Sequence, residues 1–223
     1  MSASNLVIAD ACERQMLKRL LDIVLSSIGL IFFAPFLLIL AVLIKKSSPG
    51  PALYRGLRVG KDGKLFRILK FRTMVSNAES LGGSCTSDDD SRITPLGHKL
   101  RKYKLDELPQ FLNVLKGEMS FVGPRPEVQQ FVELFTEEEK QILRVRPGIT
   151  DLATLWDSDE GALLAGSSNP EQTYLEQIRP EKIRLQLEYV RKRTLLLDLK
   201  IVCSTVALVF NKLRRANLTS LQT

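Results

Sequence analysis

Asp106 and Glu107 are adjacent carboxylates, preceded by Arg101, Lys102 and Lys104 and followed by Pro109. Proline is tolerated only in the first turn of a helix. Leu105, Leu108, Leu112 and Leu115 recur along one helical face, so a helix is predicted to begin near Leu105–Leu108 with both acids at its N-terminus. Acids at that position have an ordinary explanation, since each favours the helix dipole by ~0.3–1 kcal/mol. Their surroundings suggest a chemical one. A helix N-terminus keeps a carboxylate ionised, as a nucleophile or a hard-metal ligand must be. Two carboxylates can hold Mg²⁺, which completes its shell with water and phosphate oxygens. Arg125 and Arg146 sit on stiff Pro-Gly segments, SFVGPRP and RVRPGIT, and offer planar forks for phosphate. Such a kit fits phosphoryl transfer, in which positioning and charge neutralisation do most of the catalysis. The plain helix-cap reading stands beside it.

Composition removes most other chemistries. Cys12, Cys85 and Cys203 form no CxxC pair, which excludes a disulfide framework and a cysteine zinc site. With His98 as the single histidine, His-based triads and His-based metal centres are not expected. The cysteines read as small hydrophobes, with Cys85 in an exposed loop; His98 and Trp156 read as structural. Lys and Arg number 32 against 25 acids, a net charge of +7, so an anionic partner is expected. Nucleic acid and an anionic membrane surface are both candidates; no RNP-like or zinc-finger motif is present, and the N-terminus discriminates better.

The elements that would position the acids begin with an apolar segment. Ile23–Ile44 is a run of 22 uncharged residues, able at about 1.5 Å per residue to cross roughly 30 Å of hydrocarbon. A single transmembrane helix is the plain reading. However, Lys18 and Arg19 flank one end and Lys45 and Lys46 the other, so the positive-inside rule selects no side. Pro35 also interrupts the middle. Both features favour a bent, re-entrant anchor that dips into one leaflet. Near the other terminus Leu195–Phe210 is apolar, but it carries Asp198 and Lys200 and runs into Lys212, Arg214 and Arg215. That suits a helix at headgroup level or a core helix with a basic end.

Between these ends, Ala52–Val59 and Leu65–Arg72 flank Gly60-Lys61-Asp62-Gly63, a hairpin signal. The second run carries Arg67, Lys70 and Arg72, which could face an anion or solvate a sheet edge. Residues 76–95 read as a mobile polar loop in which Asp88-Asp89-Asp90 is a solvated acidic stretch. Thr136–Glu139 reads as a capping box, and Pro170 and Pro180 mark helix starts. The predicted fold is α+β and mostly helical, with a re-entrant N-terminal membrane helix, a small β-hairpin or sheet, and interfacial amphipathic helices. Residues 1–46 would be the anchor and 47–223 a folded domain outside the hydrocarbon.

The strings KRLLDIVLSSIGLIFFAPFLL, LFRILKFRTM, LRKYKLDELPQFLNVLKGEMSFVGPRP and RVRPGIT, in this order, resemble the bacterial sugar transferase family, the monotopic phosphoglycosyl transferases. The likeness covers most of residues 16–210. It implies transfer of a sugar-1-phosphate from a UDP-sugar to polyprenol phosphate, usually undecaprenyl phosphate. The setting would be the cytoplasmic face of the bacterial inner membrane, with phospholipids around a re-entrant anchor and Mg²⁺ as cofactor. Asp106 matches the nucleophile, which forms a covalent phosphosugar intermediate and releases UMP. Glu107 matches its partner carboxylate, and the pair would hold the metal. Arg101, Lys70 and Arg72, and Pro124-Arg125-Pro126 match basic and nucleotide-holding segments, and Arg146 is a further phosphate candidate. Lys70 and Arg72 thereby become site residues rather than edge charges.

There are departures. DLATLWDSDE follows RPGIT where many members carry a Gly-Trp-Ala-Gln loop, so Asp151, Asp157, Asp159 and Glu160 could alter the sugar pocket. Ala34 replaces the usual serine before the bend proline, which leaves Ser26 or Ser27 as candidate partners for the bend. Gln186 stands where an acid is usual. Monomer and homodimer both stay open, as do a membrane-held UDP-sugar hydrolase and a non-enzymatic scaffold for polysaccharide assembly.

Overall fold

The computed structural model describes residues 3–157 and 159–220; the side chains of Cys12 and Arg215 lie outside the described residues. The chain begins with helix α1 (Ala3–Ser47), followed by strands β1 (Leu53–Tyr54), β2 (Leu57–Val59), β3 (Leu65–Arg67) and β4 (Lys70–Phe71). Helices α2 (Ala78–Leu81), α3 (Pro95–Lys102) and α4 (Gln110–Lys116) lead to β5 (Ser120–Val122). Helix α5 (Gln129–Val132) and a 3₁₀ turn over Glu139–Arg144 precede β6 (Gly148–Thr150). Helices α6 (Leu152–Trp156), α7 (Glu160–Leu164), α8 (Pro170–Thr173), α9 (Arg179–Lys192) and α10 (Leu195–Ser220) complete the chain. The fold is mostly helical, with short antiparallel and parallel sheets and one long apolar N-terminal helix.

The predicted hairpin forms. Asp62 and Gly63 both take positive φ, 56° and 75°, as an Asp-Gly type I′ turn demands. Lys64 N closes the turn on Lys61 O at 3.2 Å. β2 pairs with β3, and β1 continues the same register with β4, Tyr54 facing Lys70. Wholly buried Asn113 on α4 ties the hairpin to the body: its Oδ1 accepts from Leu69 N at 2.9 Å, and its Nδ2 donates to Arg67 O at 2.8 Å. β5 and β6 pair in parallel. They can cross so closely because Gly123 faces Gly148, where an added Cβ on Gly148 would stand 2.1 Å from Gly123 N.

α1 remains helical through Pro35 and touches the body along much of its length. Arg19 donates to Val114 O (2.6 Å) and Leu115 O (2.8 Å), capping the last carbonyls of α4. Buried Asp22 accepts from Ser120 Oγ at 3.1 Å and from Phe121 N at 3.0 Å. Lys18 donates to Val122 O at 3.0 Å and pairs with Asp198 of α10. At the other end Leu40 and Ile44 pack with Phe71 and Leu100. Ser26 does not serve the proline bend, because its hydroxyl donates to Asp22 O and Ile23 O in the preceding turn. Much of α1's remaining surface is apolar and exposed, with Ile31 at 78% and Phe32 at 73%. α10 divides similarly: Ile201 is buried while Leu199, Val206 and Phe210 are exposed.

The polar segment 76–95 is held rather than loose. Arg92 pairs with Asp90 and donates to Ala78 O at 3.0 Å and Gly83 O at 3.2 Å, and Asp88 N donates to Gly161 O at 2.9 Å. Cys85 is accordingly buried, against expectation, packing with Phe131, Leu164 and Tyr174. Its burial pushes the thiol pKa up to about 12. Cys203 is the exposed one.

Candidate active site

After α3, Lys104 turns the chain with φ 55°, and a 3₁₀ turn over Leu105–Glu107 delivers both acids inward. Proline at 109 then opens α4, close to the predicted start. Glu107 is clamped: Arg125 places Nη1 3.1 Å from Oε2 and Nη2 on Oε1, while Lys70 Nζ donates to Oε1 at 3.1 Å. Asp106 is only 6% exposed, and its Oδ1 is buried without a hydrogen-bond partner.

The two carboxyls therefore differ in electrostatics. Burial, then the neighbouring Glu107, pushes Asp106 above the usual carboxylate range, against the pull of Lys70, Arg101 and Lys104. Burial would raise Glu107 as well, but Arg125 and Lys70 outweigh it and hold Glu107 well below that range. The helix-terminus expectation of ready ionisation is reinforced at Glu107 and opposed by burial at Asp106. Burial lowers Lys70 and Arg101, opposed by Glu107 and Asp106 respectively. Glu107 raises Arg125 above its ordinary value.

Arg125 is positioned from behind by residues whose part the sequence did not disclose. Its backbone N–H donates to Asp151 Oδ2 at 3.1 Å. Asp151 is wholly buried and caps α6 through Thr154 N (2.7 Å), while Gln186 Nε2 donates to its Oδ2 at 3.2 Å. Asp151 and Gln186, read as departures, form a complementary acceptor–donor pair. Their separation of 35 residues concealed it.

A cavity of about 2170 Å³ takes in Lys70, Arg72, Arg101, Asp106, Glu107, Arg125 and Pro126, with Phe33 and Phe36 of α1 and Val206 and Phe210 of α10 as apolar wall. Arg101 reaches Thr73 Oγ1 at 3.0 Å. Arg72 is committed to backbone carbonyls, donating to Pro51 O (2.7 Å) and Ser48 O (2.9 Å) where α1 ends. Arg146 and Pro124 stand outside the cavity lining: Arg146 Nε donates to Gly117 O at 2.9 Å, and Pro124 O accepts from Gly148 N at 3.0 Å. No group of three or more His, Cys, Asp or Glu able to hold a metal occurs among the described residues. The donor set at hand is the open Asp106 Oδ1 beside Glu107. This fits an ion such as Mg²⁺, which takes one or two carboxylates and fills its shell with water and phosphate.

The sequence profile of the bacterial sugar transferase family matches residues 13–212. The chain belongs to this family. It is 39% identical over 193 residues to a UDP-N-acetylgalactosamine-undecaprenyl-phosphate N-acetylgalactosaminephosphotransferase of Aeromonas hydrophila, covering 85% of this chain and 43% of that protein. It is 38% identical over 192 residues to a UDP-glucose:undecaprenyl-phosphate glucose-1-phosphate transferase of Caulobacter vibrioides, covering 85% of this chain and 68% of the relative. With the exopolysaccharide production protein ExoY of Rhizobium meliloti the identity is 34% over 209 residues, 87% of this chain and 85% of that one. The chain thus spans less than half the length of the Aeromonas relative and most of ExoY. All the candidate residues named above lie inside the segment that the family profile matches.

Proposed function

We propose that the chain is a phosphoglycosyl transferase that moves a sugar-1-phosphate from a UDP-sugar to undecaprenyl phosphate on the cytoplasmic face of the bacterial inner membrane. One observation carries this reading: Asp106, whose buried Oδ1 has no hydrogen-bond partner, lines a cavity beside a clamped Glu107–Arg125–Lys70 cluster. The residues would act as follows. Lys70, Arg101 and Arg125 draw the diphosphate in by charge. An Asp106 oxygen attacks the β-phosphorus; the bond from that phosphorus to the bridging oxygen breaks, and UMP leaves with the electron pair. The sugar-phosphate is then held as an acyl phosphate on Asp106. A phosphate oxygen of the polyprenol phosphate next attacks the same phosphorus, freeing the Asp106 carboxylate and forming a polyprenyl diphosphate sugar. Dividing the reaction lets a soluble donor and a membrane-bound acceptor use one small site in turn. Mg²⁺, when bound, would neutralise phosphate charge; Asp106 and Glu107 are the residues that would hold it.

In this reading residues 1–46 are a re-entrant anchor and 47–223 the catalytic domain. The same body grips α1 at Lys18–Asp22 and at Leu40–Ile44, which supports an anchor that leaves both ends on one side. The exposed apolar faces of α1 and α10 would lie in phospholipid. Intact-mass spectrometry after incubation with a UDP-sugar should show a sugar-phosphate adduct mapping to Asp106, lost in Asp106→Asn; a label on another residue would overturn the assignment. Products with and without polyprenol phosphate separate transfer from hydrolysis. Externally added thiol reagents should reach cysteines placed at neither end of α1 in intact cells, and labelling of one end only would establish a through-going span.

A further inference from the structure

The cavity that holds Asp106 also takes in Glu127, Glu160, Tyr174 and Lys182, none of which the phosphate chemistry uses. Lys182 is 7% exposed, and its ammonium is placed among three oxygens. They are Glu127 Oε1 at 2.7 Å, Tyr174 Oη at 3.2 Å and Glu160 Oε2 at 3.2 Å. Tyr174 in turn donates to Glu127 Oε1 at 2.7 Å. A π-helical turn over Tyr174–Ile178 runs directly into α9, which carries Lys182, and such turns recur at functional sites.

The cluster holds two acids against one base. Glu127 and Lys182 satisfy each other deep in the body, as a buried charge must be satisfied. The surplus is Glu160, whose side chain is 40% exposed and whose Oε1 makes no hydrogen bond among the described residues. Asp106 and Asp157, which line the same cavity, also carry oxygens without hydrogen-bond partners, Oδ1 and Oδ2 respectively, so the wall around Glu160 is rich in acceptors. Glu160 also lies close enough to Arg125 to act on its charge. A phosphate would be repelled by Glu160. The part of a ligand that suits it is neutral and carries several hydroxyl donors, next to an anionic part drawn to Arg125.

We propose that Glu160 accepts hydrogen bonds from ring hydroxyls of the donor and thereby sets donor specificity, with Lys182 and Tyr174 as positioning residues that hold its carboxylate in place. The inference rests on the nucleoside-diphosphate-sugar class assigned above. Two rings of such a donor have this chemistry, the hexose and the ribose. The test compares the full chain with Glu160→Gln and Tyr174→Phe in nanodiscs. It measures kcat/KM for UDP-glucose, UDP-galactose and their N-acetylated counterparts, together with direct binding of each donor and of UMP. If Glu160 reads the hexose, Glu160→Gln should change the ratio between epimeric donors by about tenfold to a hundredfold and leave UMP binding in place. Tyr174→Phe should move the same ratio in the same direction by less. Equal weakening of every donor and of UMP would place Glu160 at the ribose and overturn its part in donor specificity. Unchanged donor ratios and unchanged UMP binding in Glu160→Gln overturn the proposal. A wild-type chain that binds donors in a Glu160-dependent way yet transfers nothing would overturn the transfer reading and leave this one standing.

Discussion

Replacing Asp106 with Asn should abolish transfer and at the same time make the folded chain more stable. In the wild-type protein at pH 7 the Asp106 carboxyl sits 6% exposed beside Glu107, with Oδ1 unpartnered. Leaving one buried polar atom unsatisfied costs about 1–3 kcal/mol, more if it is charged. The amide also leaves a polar atom unpartnered, so the gain comes from removing the buried charge beside Glu107, ~1–2 kcal/mol. At roughly 2–4 °C per kcal/mol for a chain of this size, the apparent Tm should rise by about 2–8 °C. The pH dependence has a definite sign. Because folding raises the Asp106 pKa from its ordinary 3.8, its protonated form favours the folded state below that value, and this contribution is lost as the pH rises through the folded value. The advantage of the Asn variant therefore shrinks on acidification. Glu107 behaves oppositely: its depressed pKa contributes stability above 4.5 that is lost as the pH falls through the folded value. Glu107→Gln should thus lower the Tm at pH 7, leaving Arg125 and Lys70 without their shared partner. Breaking a buried pair costs ~3–5 kcal/mol; with Lys70 and Arg125 side chains 20% and 26% exposed, about 2–3 kcal/mol is expected. Melting curves in one detergent at one scan rate, at pH 7 and pH 4.5, decide the matter. An Asp106→Asn protein that melts at or below wild type at pH 7, or a gap that does not narrow at pH 4.5, would refute the electrostatic assignment.

Three further outcomes follow from particular contacts. Arg125→Lys keeps the charge but loses the two-pronged contact with Glu107; donor kcat/KM should fall by about tenfold or more with a Tm loss of only a few degrees, and unchanged kinetics would show that the fork does not matter. Gly148→Ala forces a Cβ to within 2.1 Å of Gly123 N; β5 and β6 must part, with a loss of about 2 kcal/mol or more, and a Tm equal to wild type would contradict the packing. Gln186→Glu sets a second carboxylate against wholly buried Asp151; it should destabilise by about 2–4 kcal/mol at pH 7, partly recovered as the pH falls and the new acid protonates, whereas pH-independent stability would argue against the contact.

Local chemistry was legible in the sequence wherever neighbours in the chain are also neighbours in space. The Asp-Gly turn, the Thr136–Glu139 capping box (Thr136 N to Glu139 Oε2, 2.9 Å) and the start of α4 after Pro109 all rest on interactions of a few residues. The adjacent acids were visible for the same reason. The asymmetry between them was hidden, because it arises from Lys70 and Arg125, which are 37 and 18 residues away from Glu107. Arg72 shows the converse: its basic side chain beside a motif reads as a phosphate ligand, whereas distant carbonyls, Pro51 O and Ser48 O, take up its guanidinium. Cys85 misled because a polar stretch was read as solvent-exposed, whereas Arg92 gathers its carbonyls and seats the thiol in a core. The Lys182 cluster left no local signal, since its acids come from residues 127 and 160 and its tyrosine from 174.

The apolar helix is part of the site's framework and not a tether appended to it. Asp22 and Lys18 hold β5, and two residues beyond β5 the chain reaches Pro124 and then Arg125. Leu40 and Ile44 pack on Phe71, the neighbour of Lys70, and on Leu100, the neighbour of Arg101. α1 therefore backs both groups of cations that face the acids, one through each of its halves. Arg125 and Lys70 converge on a single carboxylate, with Lys70 at 3.1 Å and Arg125 Nη1 at 3.1 Å, so a shift of one half of α1 relative to the other would be felt at Glu107. The same helix presents its exposed apolar face outward, which ties the depth at which that face is buried to the spacing of the charged groups. The proposed transfer to an acceptor in the bilayer would need both quantities set together, and one helix gripped at two places would provide that.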